Sequence, residues 1–218
     1  MQTETGLISN NDETNYRREI DDISTWCTDN NQRLNVLKTQ EMVVDFRRNK
    51  APLDPIIIDN TVVEQVNVAK FLGIFLSSDL TWHVNCSEIL KKAKQRLHFL
   101  RILASFKVDT FILTCFYRCI IESILTNCIV IWYGRATQKD LNLMSSVIRQ
   151  SEKIIGVTLP SLKDIYEKRL KKKTDIILID EHHPAYKYFD LMPSGRRYRH
   201  FKGNKRFIDS TFPQAVRF

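Results

Sequence analysis

Four groups of side chains in this sequence have types and spacings that chemistry can use. Asp21-Asp22 is an adjacent carboxylate pair, the kind of group that holds divalent cations for nucleotidyl transfer. It falls inside the helical stripe of Tyr16, Ile20 and Ile23, so a solvated helix face is the better reading. Cys115 and Cys119 lie one helical turn apart, yet no His or carboxylate accompanies them at ligand spacing, and they read as core thiols. His182-His183, between Glu181 and Pro184, reads as a polar turn ahead of a weak adventitious metal site. The fourth group is cationic: Lys91, Lys92, Lys94 and Arg96, then Lys171, Lys172 and Lys173 beside Lys168-Arg169, then Arg196, Arg197 and Arg199. Lys and Arg at such density gain affinity for phosphate by releasing its condensed counterions. The Lys171 cluster also fits a solvated helix face or a nuclear targeting signal. Binding chemistry is expected, with no catalytic residue, no metal and no cofactor.

The elements that must position these residues change in kind along the chain. Apolar residues at Tyr16, Ile20, Ile23 and Cys27 predict an amphipathic helix over residues 13–31, ended by Asn30-Asn31. Short β-branched clusters at 41–46, 56–58, 61–66 and 70–76 follow, separated by Pro52, Pro55 and Asp59-Asn60, and predict a small antiparallel sheet. Residues 56–66 read as a hairpin turning at Asp59-Asn60. Beyond Trp82 the period becomes helical. Asn85 with Glu88 suggests a capping box, ahead of Ile89, Ala93, Leu97, Leu100 and Leu103 or Ala104 on one face. Residues 109–132 are apolar nearly all round, as in a central helix packed on several sides, and Arg118 and Glu122 are spaced to pair. Thr137 with Asp140 opens a further helix, carrying Leu141, Met144, Ile148 and Ile155 and stopping at Gly156. Ser161 with Asp164 opens another, which extends toward Ile179. The tail from His182 has no clear period. It interleaves Tyr186, Tyr188, Phe189, Tyr198, Phe201 and Phe207 with Arg196, Arg197, Arg199, Lys202, Lys205 and Arg206, a composition that suits either single-stranded nucleic acid or packing over the helices.

Bulk numbers bound these readings. With 218 residues and 43% hydrophobic content the chain supports one ordinary core or two small ones. The formal net charge of +8 favours a polyanionic partner. Residues 163–217 hold 14 Lys or Arg against 7 Asp or Glu, whereas residues 1–100 hold 12 against 14, so charge-driven binding belongs to the C-terminal half. Five cysteines without a C-x-x-C read as buried thiols of an intracellular protein, nucleus and cytoplasm being equally open. Residues 1–15 lack the apolar segment of a signal peptide. Residues 111–132 carry Arg118 and Glu122 at mid-length, and a buried helix is expected ahead of a membrane span.

An ordered string of short motifs adds a resemblance. It runs through Trp26-Cys27, Asn30-Asn31, Leu34-Asn35, Lys38-Thr39, Val43-Val44-Asp45-Phe46-Arg47-Arg48 and Lys70-Phe71-Leu72-Gly73. It continues with Asp79-Leu80-Thr81-Trp82, Lys91-Lys92-Ala93, Arg96-Leu97, Phe99-Leu100-Arg101, Phe116-Tyr117-Arg118 and Trp132-Tyr133-Gly134. In order and spacing this resembles the back half of a reverse transcriptase of the non-LTR (LINE-type) retrotransposon family. The resemblance implies a palm remnant with a primer-grip-like hairpin at Phe71, Leu72 and Gly73, then a helical thumb. It covers almost the whole chain. That family supplies its metal-binding carboxylates from an upstream strand and an aromatic-Ala-Asp-Asp hairpin, and this sequence contains neither.

Residues 88–125, above all Leu90-Lys91-Lys92-Ala93-Lys94-Gln95-Arg96-Leu97-His98-Phe99-Leu100-Arg101, also resemble the short basic helical N-terminal segment of the eighth AlkB homologue, a tRNA-modifying dioxygenase and methyltransferase. That resemblance implies tRNA as a partner. It brings no chemistry, because none of His83, His98, His182, His183 or His200 is followed two residues later by Asp, as an iron site of that type needs.

The sequence thus predicts an α+β fold: a helix plus a small antiparallel sheet over 1–80, a helical thumb-like bundle over 81–180 and a basic irregular tail over 181–218. The expected function is sequence-nonspecific binding of RNA or RNA/DNA hybrid without catalysis, through the ten cations above. A protein of tRNA modification and a translated relic without function are the alternatives. Self-association through exposed palm surface is a further expectation, and no membrane is.

Overall fold

The computed structural model describes residues 4–8, 11–48 and 53–217. Pro52, expected to separate two strands, lies outside them, as does part of the polar stretch before residue 15. The fold is α+β, and the chain forms two compact units, Met1–Phe71 with Leu76–Leu80 and Leu72–Phe75 with Thr81–Phe218.

In the first unit, helix α1 (Thr14–Asp29) ends where expected, with Asn31 at φ 53°. The strands are very short: β1 (Gln40–Glu41), β2 (Ile57–Ile58), β3 (Thr61–Val62) and β4 (Glu64–Gln65). β2 and β3 pair antiparallel, Ile57 opposite Val62 and Ile58 opposite Thr61. Asp59 and Asn60 both have positive φ, 48° and 57°, the twist a two-residue hairpin turn requires and one that Asp and Asn tolerate. β1 pairs with β4 in parallel, a departure from a purely antiparallel sheet. Residues 43–46, expected as strand, have no regular structure, and Val44 and Phe46 are exposed. Alternation sets the core: Ile56 and Ile58 turn inward with Val63, against Tyr16, Ile20 and Val36, while Ile57 faces out. A hairpin, β5 (Val68–Phe71) and β6 (Ile74–Ser77), ends the β-rich part of the chain.

The second unit is helical. Its long helix α2 (His83–Ser105) buries Asn85, Cys86, Ile89, Ala93, Leu97 and Leu100, a stripe at spacings of 3 or 4. That stripe packs on α6 (Gln138–Ile155). The segment after α2 is a broken rod: α3 (Thr110–Phe116), a π-helical turn (Tyr117–Glu122), α4 (Ser123–Leu125) and α5 (Ile129–Trp132). Cys128 at φ 49° makes the break, and two groups cover the carbonyls it frees. Trp132 Nε1 donates to the Asn127 carbonyl at 2.8 Å, and Arg169 donates to that of Thr126 at 2.7 Å.

α6 starts as its sequence dictates. Thr137 Oγ1 accepts from the Asp140 N–H at 3.1 Å, and Gly156 at φ 84° stops the helix. α7 (Leu162–Ile179) opens on a capping box in which Ser161 and Asp164 satisfy each other's backbone N–H. The tail is mostly irregular, punctuated by a 3-10 turn at Tyr186–Tyr188 and by α8 (Lys205–Ile208) and α9 (Thr211–Ala215). α9 packs on α7, and Thr211 Oγ1 donates to the Val130 carbonyl at 2.9 Å. Tail aromatics meet one another: Tyr188 lies 5.1 Å from Phe212 and 6.1 Å from Phe201, between ring centroids.

Three expectations are corrected. Asn85 does not cap α2, which begins two residues earlier after Trp82. It is buried as the third residue of the helix, and its Oδ1 accepts the Phe75 N–H at 3.1 Å. The helix over 110–135, expected to be packed on several sides, leaves part of its apolar surface open. Leu113, Tyr117, Ile121, Leu125, Ile129 and Trp132 are buried, while Phe111 is 73% and Ile112 53% exposed, and Cys115 and Cys119 face outward too. By length and composition alone, Thr110–Arg135 is long and apolar enough to cross a membrane. Finally, Arg118 and Glu122, spaced to pair, form no ion pair among those of the described residues.

Candidate nucleic-acid interface

Helix α2 carries a cationic surface. Its buried stripe leaves roughly two-thirds of the circumference to solvent, and Lys91, Lys92, Lys94 and Arg96 are all exposed there. They do not form one row. Lys92, Arg96 and Phe99, spaced 4 and 3, share one flank, while Lys94 and Arg101, spaced 7, share the other, with Lys91 between. Arg101 ties its flank to α6 by donating to Gln150 Oε1 at 2.7 Å. On the opposite flank Lys92 lies 6.0 Å from the Phe75 ring centroid, and the Arg96 guanidinium 5.7 Å from that of Phe99. Such contacts hold long cationic side chains extended without neutralising them. None of the four is in an ion pair among the described residues.

The base of α2 is fixed by a contact no local pattern announces. His83 Nδ1 lies 3.2 Å from Asp140 Oδ1, and Asp140 is itself buried at the start of α6, where its Oδ2 accepts from Thr137 Oγ1 at 2.7 Å. One carboxylate therefore holds the Thr137 cap of α6 and anchors the first turn of α2.

Lys171, Lys172 and Lys173 are exposed on α7. Their neighbour Arg169 is spent on the Thr126 carbonyl, which removes it from the cluster. Arg196, Arg197 and Arg199 are exposed on a tight turn in the tail, closed by the Leu191–Tyr198 bridge and by the Arg199 N–H donating to the Asp190 carbonyl at 2.7 Å. α2 packs against α6 and α7 against α5 and α9, so the cationic groups ride on separate helix pairs.

The expected primer-grip-like residues occupy the tip of the β5–β6 hairpin. Leu72 at φ 45° and Gly73 at φ 88° make its turn, and Leu72 is 72% exposed. A leucine held at positive φ and in solvent is a strained choice that local packing does not explain.

The other candidates divide. Asp21 and Asp22 lie exposed on α1. His183 accepts the Ala185 N–H on Nδ1 at 3.0 Å, as a polar turn would arrange it. No group of three or more His, Cys, Asp or Glu suited to a metal occurs among the described residues. The expectation of buried thiols holds for Cys27 and Cys86 and fails for Cys115 and Cys119. Burial, with Asp140 adding to it, pushes the Cys86 thiol up to about 12, so that thiol is inert.

Sequence reasoning missed one feature. A shallow pocket of about 360 Å³ opens between α2 and the π-helical turn, with Arg96 and Phe99 on one side and Phe116, Cys119, Ile120 and Ser123 on the other. Only Phe99 gave a local signal, as an aromatic off the buried stripe of a basic helix.

This geometry defines a basic helical unit with a cationic long helix at its surface. The family model described as "Alkylated DNA repair protein alkB homolog 8, N-terminal" matches residues 82–123, a span that contains α2, α3 and the π-helical turn. It covers roughly a fifth of the chain, nearly the segment whose basic pattern resembled that family. No curated protein and no solved structure matches the chain, so the reverse transcriptase resemblance rests on its motifs alone.

Proposed function

We propose that this chain is a non-enzymatic RNA-binding protein that grips the phosphate backbone through α2, with tRNA as the RNA class implied by its similarity to the AlkB homologue 8 N-terminal segment. The observation that carries this reading is the coincidence of two facts. The segment matching that family is the one in which Lys91, Lys92, Lys94 and Arg96 stand exposed and out of ion pairs. Cations of this kind fix register on a backbone without reading sequence, so binding is sequence-nonspecific. Lys171, Lys172, Lys173, Arg196, Arg197 and Arg199 extend the contact on other faces of the same unit. The oxidative or methyl-transfer chemistry of the full-length AlkB homologue is not part of the proposal, because the sequence holds no His-x-Asp.

A second reading, a reverse transcriptase thumb freed from its catalytic half, is favoured by the β5–β6 hairpin that turns at Leu72-Gly73 immediately before α2. It differs in the preferred ligand, an RNA/DNA hybrid.

The test is fluorescence anisotropy with tRNA, single-stranded RNA and RNA/DNA hybrid across a salt series. Affinity for RNA should fall steeply with salt. Changing Lys91, Lys92, Lys94 and Arg96 together to alanine should flatten the log–log slope by up to about 3, from about 0.7 per lost contact on a single strand. A flat slope in the unmodified protein removes the proposal. A preference for hybrid moves the assignment to the second reading, and aggregation without retention of any nucleic acid favours a relic without function.

A further inference from the structure

We infer that the pocket between α2 and the π-helical turn receives an unpaired nucleobase, so that the protein distinguishes RNA with extruded or loop bases from uniform duplex. The inference rests on the RNA-binding reading above and adds a site to it.

The basic face of α2 explains affinity for phosphate, but it does not explain why aromatic and aliphatic surface lies open beside the cations. Phe99 is 45% and Ile120 36% exposed, and both line the same recess. A partner that met only the cations would leave that surface wet. Its volume, about 360 Å³, falls within the roughly 300–1,000 Å³ typical of small-ligand sites.

The lining has the chemistry of a base pocket. Arg96 and Phe99, 5.7 Å apart from guanidinium carbon to ring centroid, make a flat cationic platform on which any base can stack. Phe116 and Ile120 form the opposing apolar wall. Ser123 Oγ donates to the Cys119 carbonyl at 2.5 Å, so its lone pairs remain to accept from a base amine. Lys92 precedes Arg96 by one turn on the same flank, where the phosphate of a base seated in the recess would pass. Between residues 83 and 122 there are 7 Lys or Arg against 3 Asp or Glu, and one of the three, Asp109, is occupied in capping α3 by accepting the Phe111 N–H at 2.7 Å. The field at the recess therefore suits a ligand that is anionic outside and flat and apolar inside. A nucleotide is both.

Helical spacing supplies the geometry. Phe116, Cys119, Ile120 and Ser123, separated by 3 or 4 residues, share the one face of this segment that lines the recess opposite α2.

Cys119 provides a direct reporter, since it lines the pocket and is exposed. In a C115S/C128S background, which leaves Cys119 the one exposed thiol among the described residues, alkylation of Cys119 by a maleimide is followed while anisotropy records binding to a hairpin RNA with unpaired loop bases, to the matching blunt duplex and to anionic vesicles. The hairpin should slow alkylation at least fivefold, whereas the duplex should bind by charge and leave the rate unchanged. F99L should lose roughly tenfold in affinity for the hairpin, the loss of one stacked base, and little for the duplex, while F99Y should retain both. Binding of the hairpin with an unaltered Cys119 rate overturns the pocket and leaves the RNA-binding reading standing. Equal protection by duplex, or protection by vesicles alone, also overturns it. Failure of every RNA to bind overturns both.

Discussion

The two units of this chain carry opposite charge. The first, Met1–Phe71 with Leu76–Leu80, holds 8 Lys or Arg against 13 Asp or Glu, whereas the second holds 25 against 12. They differ as much in how they are held. The first rests on Ile56, Ile58 and Val63, strands of two to four residues and one helix. The second buries Trp132, Tyr117, Leu100, Ile121, Leu125, Ile129, Met144 and Leu170 almost completely. Each large apolar side chain buried in full contributes about 1.5–3 kcal/mol, so the stable unit is also the cationic one. The excess of positive charge thus falls on the part of the chain with the larger core, the part better able to hold its charges in fixed positions.

The largest test of that difference compares core truncations. Trp132→Ala removes the largest fully buried side chain and a bond to the Asn127 carbonyl, and it should cost about 3–5 kcal/mol and abolish RNA retention. Ile58→Ala should destabilise the first unit while leaving the RNA affinity of the second intact. Urea unfolding followed by near-ultraviolet circular dichroism, with anisotropy on the same samples, reads both. Loss of RNA binding in the Ile58 variant would break the comparison.

A smaller effect is expected at the seam between the tail and the helices. A Cβ on Gly134 would meet the Asp209 carbonyl oxygen at 2.5 Å, a backbone atom that cannot step aside cheaply. Gly134→Ala should cost about 1–3 kcal/mol and loosen residues 205–217, seen as faster proteolysis there with unfolding of α2 and α6 unchanged.

The smallest effect lies at alkaline pH. Burial raises the Cys86 thiol from 9.0 to about 12 and the Tyr166 hydroxyl from 10.0 to about 12 in the second unit, and burial with Glu41 raises Tyr16 from 10.0 to about 12 in the first. The folded state holds these protons more tightly than the unfolded chain, so their contribution is complete below pH 9 and is lost as pH rises toward 12. Stability of the second unit should begin to fall near pH 9 and that of the first near pH 10. Cys86→Ala should shift the onset in the second unit to pH 10, measured as urea midpoints from pH 8 to 11.

Much of the fold was legible because its signals are local. Thr137 with Asp140, Ser161 with Asp164, Gly156, and the Asp59-Asn60 turn each act within four residues, and each stands where the pattern put it. Asn85 was misread because its side chain serves the Phe75 N–H, ten residues back in the chain, and no helix-capping rule contains that partner. The cations of α2 were legible as a group, while the pocket beside them was not.

The sequence by itself determined the passage from strands to helices, the starts of α6 and α7 and the segregation of charge, because propensity, capping and composition are written into neighbouring residues. Only the tertiary structure decided which side of the apolar segment 110–135 is covered, that Arg169 is spent on a broken helix end, and that Phe99 faces Phe116 and Ile120. Those outcomes depend on which surfaces meet. An apolar run with no polar face holds no record of that, since burial is settled by contacts between residues far apart in the chain.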